Sequence, residues 1–279
     1  MFAVALFVLT LVGCSKHAVG TGTPRRIVSL GPSTTEALFA VGAGSSVVAR
    51  SRYCEWPPEA MKLPALGGIE PDVETILQLQ PDLVVGPSGG WSQHLSATLA
   101  THGIATWFPA DSASLADVDA LIAALGERTG HGPEAKNVVE RIHATEHAVE
   151  QAVAAEPKPR VLFVVDVAPV YAAGPRTFAG EMLREAGASN ALPADTAWTA
   201  VGFERVVEID PDVVIDASSG DAATPSTVTA QSPGWSGVRA VREGHVVRLQ
   251  DHRVLTPGPR IGEGLAVLAR AIHPGARIP

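Results

Sequence analysis

One phrase occurs twice in this chain, and it limits the possible architecture more than any other feature. Glu74-Thr-Ile-Leu-Gln-Leu-Gln-Pro-Asp-Leu-Val-Val85 is matched by Glu204-Arg-Val-Val-Glu-Ile-Asp-Pro-Asp-Val-Val-Ile215. Each copy reads as a short amphipathic helix stopped by a Pro-Asp turn and followed by a β-branched, buried strand. A single copy is ordinary α/β grammar, but two copies agreeing at almost every position imply a duplicated unit and two related lobes. Between them, Pro133 to Glu156 carries the longest uninterrupted helical pattern in the chain. Val138, Ile142, Val149 and Val153 recur there at spacings of four, seven and four, which places them on one face of a helix. Pro133 suits a first helical turn and Pro157 forbids continuation, so a single rod of roughly 36 Å is expected to join the lobes.

Around this frame, strand and helix patterns alternate. Arg26–Leu30 reads as a strand, and Ser33-Thr-Thr-Glu36 as a capping box opening a helix that runs to Val41. Strands are expected at Val47–Ala49, Leu83–Val85 and Ile104–Trp107, with a helix from Leu115 to Arg128 completing the first lobe. The second lobe opens with a strand at Arg160–Val165, whose exit loop is expected to run from Asp166 through Tyr171 to Arg176. Strands at Asp212–Asp216 and Val246–Leu249 follow, with a polar linker at Ser218–Ser232, a loop at Asp251–Pro259 and a closing helix from Ile261 to Ile272. The fold class is therefore α/β: two Rossmann-like lobes with parallel sheets joined by one long linking helix. The expected division is residues 1–24 as signal and tether, 25–130 as N-terminal lobe, 131–157 as linking helix and 158–279 as C-terminal lobe. Ligands of such sheets sit beyond the carboxyl ends of the strands. Tyr53, Trp56, Trp91, Tyr171, Trp198 and Trp235 all fall in expected loops, several at those ends, which favours a ligand cleft.

Composition narrows the class of partner. With 46% hydrophobic residues in 279, the chain can bury real cores, and a net charge of −8 with no basic run argues against nucleic acid and anionic membrane surfaces. Residues 1–13 are uncharged and almost wholly apolar, too short to span a bilayer, and end Leu11-Val12-Gly13-Cys14 before turning polar. That reads as the apolar core of an export signal. Its ending resembles a bacterial lipobox, which implies lipidation of Cys14 and a flexible tether at Ser15–Pro24. The basic start of such a signal is missing, so the true start is expected upstream of Met1. With Cys14 lipidated, Cys54 has no intramolecular partner and is expected as a free thiol, a small buried or cleft-wall side chain rather than a nucleophile.

Catalytic motifs are sparse. Ser88 and Ser218 lack the Gly-x-Ser-x-Gly elbow, and neither a phosphate-binding Walker loop nor a Cys-x-x-Cys pair occurs. His143-Ala-Thr-Glu146-His147 matches the zinc-hydrolase pattern in which two histidines hold a metal and the carboxylate acts as base. On a helical wheel the two histidines lie away from the apolar stripe, which favours a solvated face over a metal site. His94, His102, His245 and His252 are too scattered to assert a metal-ion importer. No catalytic residue and no metal site are therefore assigned. Glu74 and Glu204 occupy equivalent first-turn positions in the two repeats. They read either as acids complementing a helix dipole or as paired docking knobs, one per lobe.

Two lobes, one linking helix, an envelope anchor and aromatic loops together resemble the substrate-binding lipoproteins of bacterial ABC importers. The resemblance is to the class bridged by a single helix (class III), which captures cobalamin, haem and iron-siderophore complexes. It covers residues 25–274 and rests on Ser29-Leu30 with Ser33–Glu36, Tyr53-Cys-Glu-Trp-Pro-Pro-Glu-Ala60, Leu63-Pro-Ala-Leu-Gly-Gly68, both repeats, and Pro259-Arg260-Ile261. The second and third of these look most like the cobalamin-binding subgroup. The resemblance implies that Tyr53, Trp198 and Asp251 line a corrinoid cleft, to which the aromatic placement adds Trp56, Trp91 and Tyr171 as ligand-binding candidates. It also implies that Glu74 and Glu204 dock against arginines of the permease. Two tryptophans that some cobalamin binders carry are here Gly68 and Pro87, although Trp91 follows closely.

A corrin ring is a broad plate with apolar faces and amide rims, which suits aromatic side chains with a few hydrogen-bonding groups. Haem propionates or ferric siderophores would instead need arginines, and Arg50, Arg52, Arg176, Arg253 and Arg260 all sit near the expected cleft loops. The expectation is an extracytoplasmic, lipid-anchored monomer. It would carry a corrinoid, or alternatively haem or a siderophore, to an ABC permease and ATPase complex, with no cofactor and no chemistry of its own.

Overall fold

The computed structural model of the chain describes residues 22–67, 71–218 and 226–279; Cys14, with the expected lipid anchor, and Gly68 lie outside the described residues. The first half contains β1 (Ile27–Ser29), α1 (Pro32–Ala40), β2 (Val47–Ser51), β3 (Ala65–Leu66), α2 (Val73–Gln78) and β4 (Leu83–Val85). It continues with α3 (Ser92–Thr101), β5 (Ala105–Trp107) and α4 (Leu115–Thr129), and the long helix α5 (Gly132–Val153) follows. The second half runs β6 (Arg160–Val167), β7 (Val170–Ala173), α6 (Phe178–Glu185), β8 (Ser189–Asn190), β9 (Trp198–Ala200) and α7 (Phe203–Ile209). It ends with β10 (Val213–Asp216), α8 (Arg239–Arg242), β11 (Val246–Arg248), α9 (His252–Leu255) and α10 (Ile261–Ile272).

The strands form two separate sheets, in the orders β3-β2-β1-β4-β5 and β11-β10-β6-β7-β9, with β8 beside β6. The two Pro-Asp strands, β4 and β10, therefore belong to different sheets, as a duplicated unit requires. The first sheet is parallel throughout, whereas in the second β7 pairs antiparallel with both β6 and β9. Only Ala168 and Pro169 separate β6 from β7. A two-residue link can make a hairpin, but a parallel crossover needs a dozen residues or more. The expected exit loop at Asp166–Arg176 is accordingly a β-hairpin, and the second sheet is mixed.

The repeat is the same physical device in both halves. Gln80 and Asp210, each just before the proline, adopt left-handed backbone with φ of 47° and 42°. The aspartate after the proline then reaches the neighbouring central strand: Asp82 accepts the N–H of Arg26 at 2.9 Å, and Asp212 that of Arg160 at 2.8 Å. In return, the Arg26 guanidinium donates to the carbonyls of Leu79 and Gln80, and that of Arg160 to those of Ile209 and Asp210. Helix end, turn and strand start are locked together by one Arg-Asp exchange. The Arg160 N–H and, after it, the Arg239 guanidinium hold the Asp212 carboxyl below the usual carboxylate range. A depressed carboxyl contributes stability above its unfolded pKa of about 3.9 and loses it as pH falls through the folded value. Asp212→Asn is expected to cost about 1 kcal/mol near neutral pH, since the group is partly solvated. In urea melts across acid pH its stability should converge with wild type.

The linking helix buries Val138, Ile142, Val149 and Val153, the stripe that the spacing predicts, and Ala135 beside them. Its 22 residues span about 33 Å and end at Val153, short of the expected Glu156, because Pro157 has no N–H to offer the Val153 carbonyl one turn back. That stripe joins a core shared by α1, α4, α6 and α10, so α5 is packed from both halves. The expected capping box at Ser33 is absent. Pro32 starts α1 two residues earlier than a Ser33 cap would, behind Gly31, which makes no side-chain cap. Glu36 is consequently released from the helix end for another use.

Candidate functional site

The loops that leave the carboxyl ends of β2 and β11 meet. Glu55 of the first lies 3.5 Å from His252 of the second, and both are exposed. Deeper in, Arg260 donates from Nε and Nη2 to the two carboxylate oxygens of Glu36, at 2.8 and 2.7 Å. The Glu36 side chain is only 4% exposed. The same guanidinium lies over the Trp56 ring, 4.7 Å from its centroid. Farther along, Glu181 of α6 accepts the N–H of Leu115, the first residue of α4, at 2.7 Å. The carboxyl ends of the two sheets therefore face each other across a stitched contact. Behind it a recess of about 570 Å³ opens against the linking helix, walled by Glu36, Phe39, Trp56, Arg141, Ile142 and Arg260 among others. A second hollow, of about 1040 Å³, lies at the far, amino-terminal edge of the first sheet, beside Asp82, His102 and Arg128.

The aromatic candidates divide into three groups at this end of the sheets. Tyr53 and Trp56 stand on the β2 exit loop, 52% and 44% exposed. Trp91, at the head of α3, meets Phe108 edge-on at 5.3 Å. Tyr171 and Trp198 are stacked within 8° of parallel at 6.4 Å, with Phe178 tilted against Trp198 at 6.1 Å. Both lie on strands, not loops: β9 pairs with β7 so that Tyr171 and Trp198 fall on a diagonal of one face. Trp235, by contrast, is a core residue, 2% exposed and packed edge-on against Phe203.

The polar candidates are largely committed. Asp251 caps α9 and binds the Arg253 guanidinium through both oxygens, at 2.9 and 2.6 Å. That arginine holds its carboxyl below the usual range. Arg50 is buried and donates to the carbonyls of Ala60, Ser51 and Met61. Arg52 lies 5.7 Å from the Tyr53 ring, and both Arg52 and Arg176 are exposed. Cys54 is fully buried, with Thr35 donating to its sulfur at 3.1 Å and the Ser51 hydroxyl in hydrogen-bond contact with it at 3.3 Å. Sequence reasoning missed Asp216, a fully buried carboxylate at the end of β10 that takes Arg248 at 3.0 Å and the Ser218 hydroxyl at 2.6 Å. Its polar Asp-Ala-Ser-Ser continuation after a buried strand was the available signal.

Glu74 and Glu204 both stand exposed in the first turns of α2 and α7, and neither forms an ion pair among the described residues. The motif histidines turn to separate neighbours: His143 binds Asp119 at 2.7 Å, and His147 binds Gln151 at 2.8 Å. The Asp119 contact raises the His143 pKa, and burial raises that of Glu146. Among the described residues no group of three or more His, Cys, Asp or Glu converges as a metal site, and no helix is long and apolar enough to cross a membrane.

The profile of a family described as periplasmic binding protein matches residues 27–252. An ABC transporter substrate-binding lipoprotein, YvrC, of Bacillus subtilis (strain 168) is 30% identical over 90% of this chain and 81% of its own length. A cobalamin-binding protein of Halobacterium salinarum (strain ATCC 29341 / DSM 671 / R1) is 29% identical over 90% of this chain and 70% of its own. Among solved structures, the periplasmic heme-binding protein BhuT in complex with two hemes superposes with a TM-score of 0.78 at 27% identity, covering 90% of this chain and 98% of that one.

Proposed function

The chain belongs to the periplasmic binding protein family, and from that premise we propose that it captures a corrinoid between its two sheets and delivers it to an ABC permease. It is an extracytoplasmic substrate-binding component of an ABC importer of the cobalamin, haem and siderophore type, and it binds rather than transforms its ligand. Residues 25–130 and 158–279 would act as the two lobes and 131–157 as their strut. Tyr53, Trp56, Trp91, Tyr171, Trp198 and Asp251 would line the cleft, Glu74 and Glu204 would meet the permease, and Cys14 would carry the lipid.

The observation that carries the corrinoid reading is what the arginines are doing. Three of the five near the cleft already spend their guanidinium inside the protein: Arg50 on backbone carbonyls, Arg253 on Asp251 and Arg260 on Glu36. Drawing Arg260 away from the buried Glu36 to serve a ligand anion would strand a charge, at about 3 to 5 kcal/mol, whereas moving Arg50 would leave buried carbonyls without a donor. The exposed indoles and phenols carry no such commitment and suit an uncharged, broad-faced plate. The cobalamin-binding relative supports the same reading.

Haem is the second reading. It is favoured by the two exposed phenols, Tyr53 and Tyr171, since haem iron accepts a tyrosine ligand, and by the haem-bound neighbour. The absorption spectrum of protein purified from cells grown with both compounds separates the two: corrinoid bands are expected, and a Soret band without them would select haem.

A further inference from the structure

The Glu36–Arg260 pair joins residues 224 positions apart in sequence and on opposite sides of the linking helix. Its arginine also lies across Trp56, one of the exposed aromatic faces of the site. The pair is well shielded, with Arg260 itself only 17% exposed, and the preceding turn presses on α1: a Cβ at Gly258 would rest against Ser33 and Glu36. A guanidinium held in a two-point fork is fixed in its own plane, and the cation–π contact then favours one orientation of the indole beneath it. The ligand-facing indole of one half is thus oriented by a residue of the other.

We propose that Arg260 is a positioning residue for the site: clamped by Glu36, it sets the plane of Trp56, so that the first half presents its aromatic plate correctly only while the second half is docked. This rests on reading Trp56 as a cleft residue. It gives Arg260 a part in binding that requires no contact with the ligand. It also makes Trp56 a reporter of how the halves sit, because any motion that draws the start of α10 away removes the cation from the ring.

Arg260→Lys and Glu36→Gln test this without emptying the space. Lysine keeps the charge but cannot fork onto a carboxylate or lie flat on an indole, and glutamine keeps the shape of Glu36 without its charge. The difference between wild type and Trp56→Phe isolates the Trp56 fluorescence from that of the four other tryptophans. In both variants, acrylamide quenching of that component in the ligand-free protein is expected to rise about twofold. Circular dichroism should be unchanged. Cyanocobalamin and haem are then titrated separately, and whichever binds should bind about threefold to tenfold more weakly to Arg260→Lys. Adding Arg260→Lys to Trp56→Phe should cause no further loss, because the two act through one contact. Unchanged Trp56 quenching in folded variants overturns the proposal, as does additivity of the two substitutions. If neither compound binds wild type, the corrinoid and haem readings fail while the quenching result still decides the role of Arg260.

Discussion

Reversing Glu74 and Glu204 together to lysine is expected to abolish cyanocobalamin uptake by cells whose chromosomal copy carries both changes, while leaving the purified protein's affinity for its ligand unchanged. The two acids are exposed, sit in equivalent first turns of α2 and α7, and lack an ion-pair partner among the described residues. Their replacement therefore breaks nothing inside the fold beyond a helix-dipole contribution of about 0.3 to 1 kcal/mol each. Against a basic permease surface the same change replaces two attractions with two like-charge contacts, which cost several kcal/mol and slow the encounter. Radiolabelled uptake and equilibrium binding, measured in parallel, separate the outcomes. A matching fall in affinity would place these residues in the pocket or the fold, and unimpaired uptake would remove them from docking.

The largest effect on stability is expected at Gly264. It lies in the first turns of α10, where a side chain would run into the carbonyl group of Arg253 in α9. Backbone cannot swing aside as a side chain can, so Gly264→Ala should cost about 3 kcal/mol in urea unfolding. It should also weaken ligand binding, because α9 is the helix that Asp251 caps. Gly90→Ala is the control: nothing lies within 4 Å of its Cβ, and a change under about 0.5 kcal/mol is expected.

How much of the fold and the site is legible in the sequence differs by feature, for physical reasons. The repeats and the linking helix were legible because their signals are local: a hydrophobic period, a proline and an aspartate at fixed spacing. The Arg26–Asp82 and Arg160–Asp212 exchanges show why that phrase is kept intact in both halves. The β6–β7 hairpin was not legible, since Ala168-Pro169 resembles a loop start and only its shortness excludes a crossover. Tyr171 and Trp198 were identified as aromatic candidates, but their stacking depends on the register of β7 with β9, which no local pattern encodes. Trp235 looked like the other loop aromatics and is core, because burial in an irregular segment leaves no periodicity. Ser33–Glu36 fitted a helix-start pattern that Pro32 pre-empted. The true partner of Glu36 is Arg260, at a sequence distance that no motif spans.

The proposed capture of a corrinoid requires aromatic side chains drawn from both sheets to hold it. Isothermal titration of the purified protein with cyanocobalamin, beside Trp198→Ala, tests it most directly. Submicromolar one-to-one binding is expected for wild type, weakened about tenfold in Trp198→Ala by loss of the Tyr171–Trp198 stack. No binding at micromolar protein and ligand would contradict it, as would wild-type affinity in the variant.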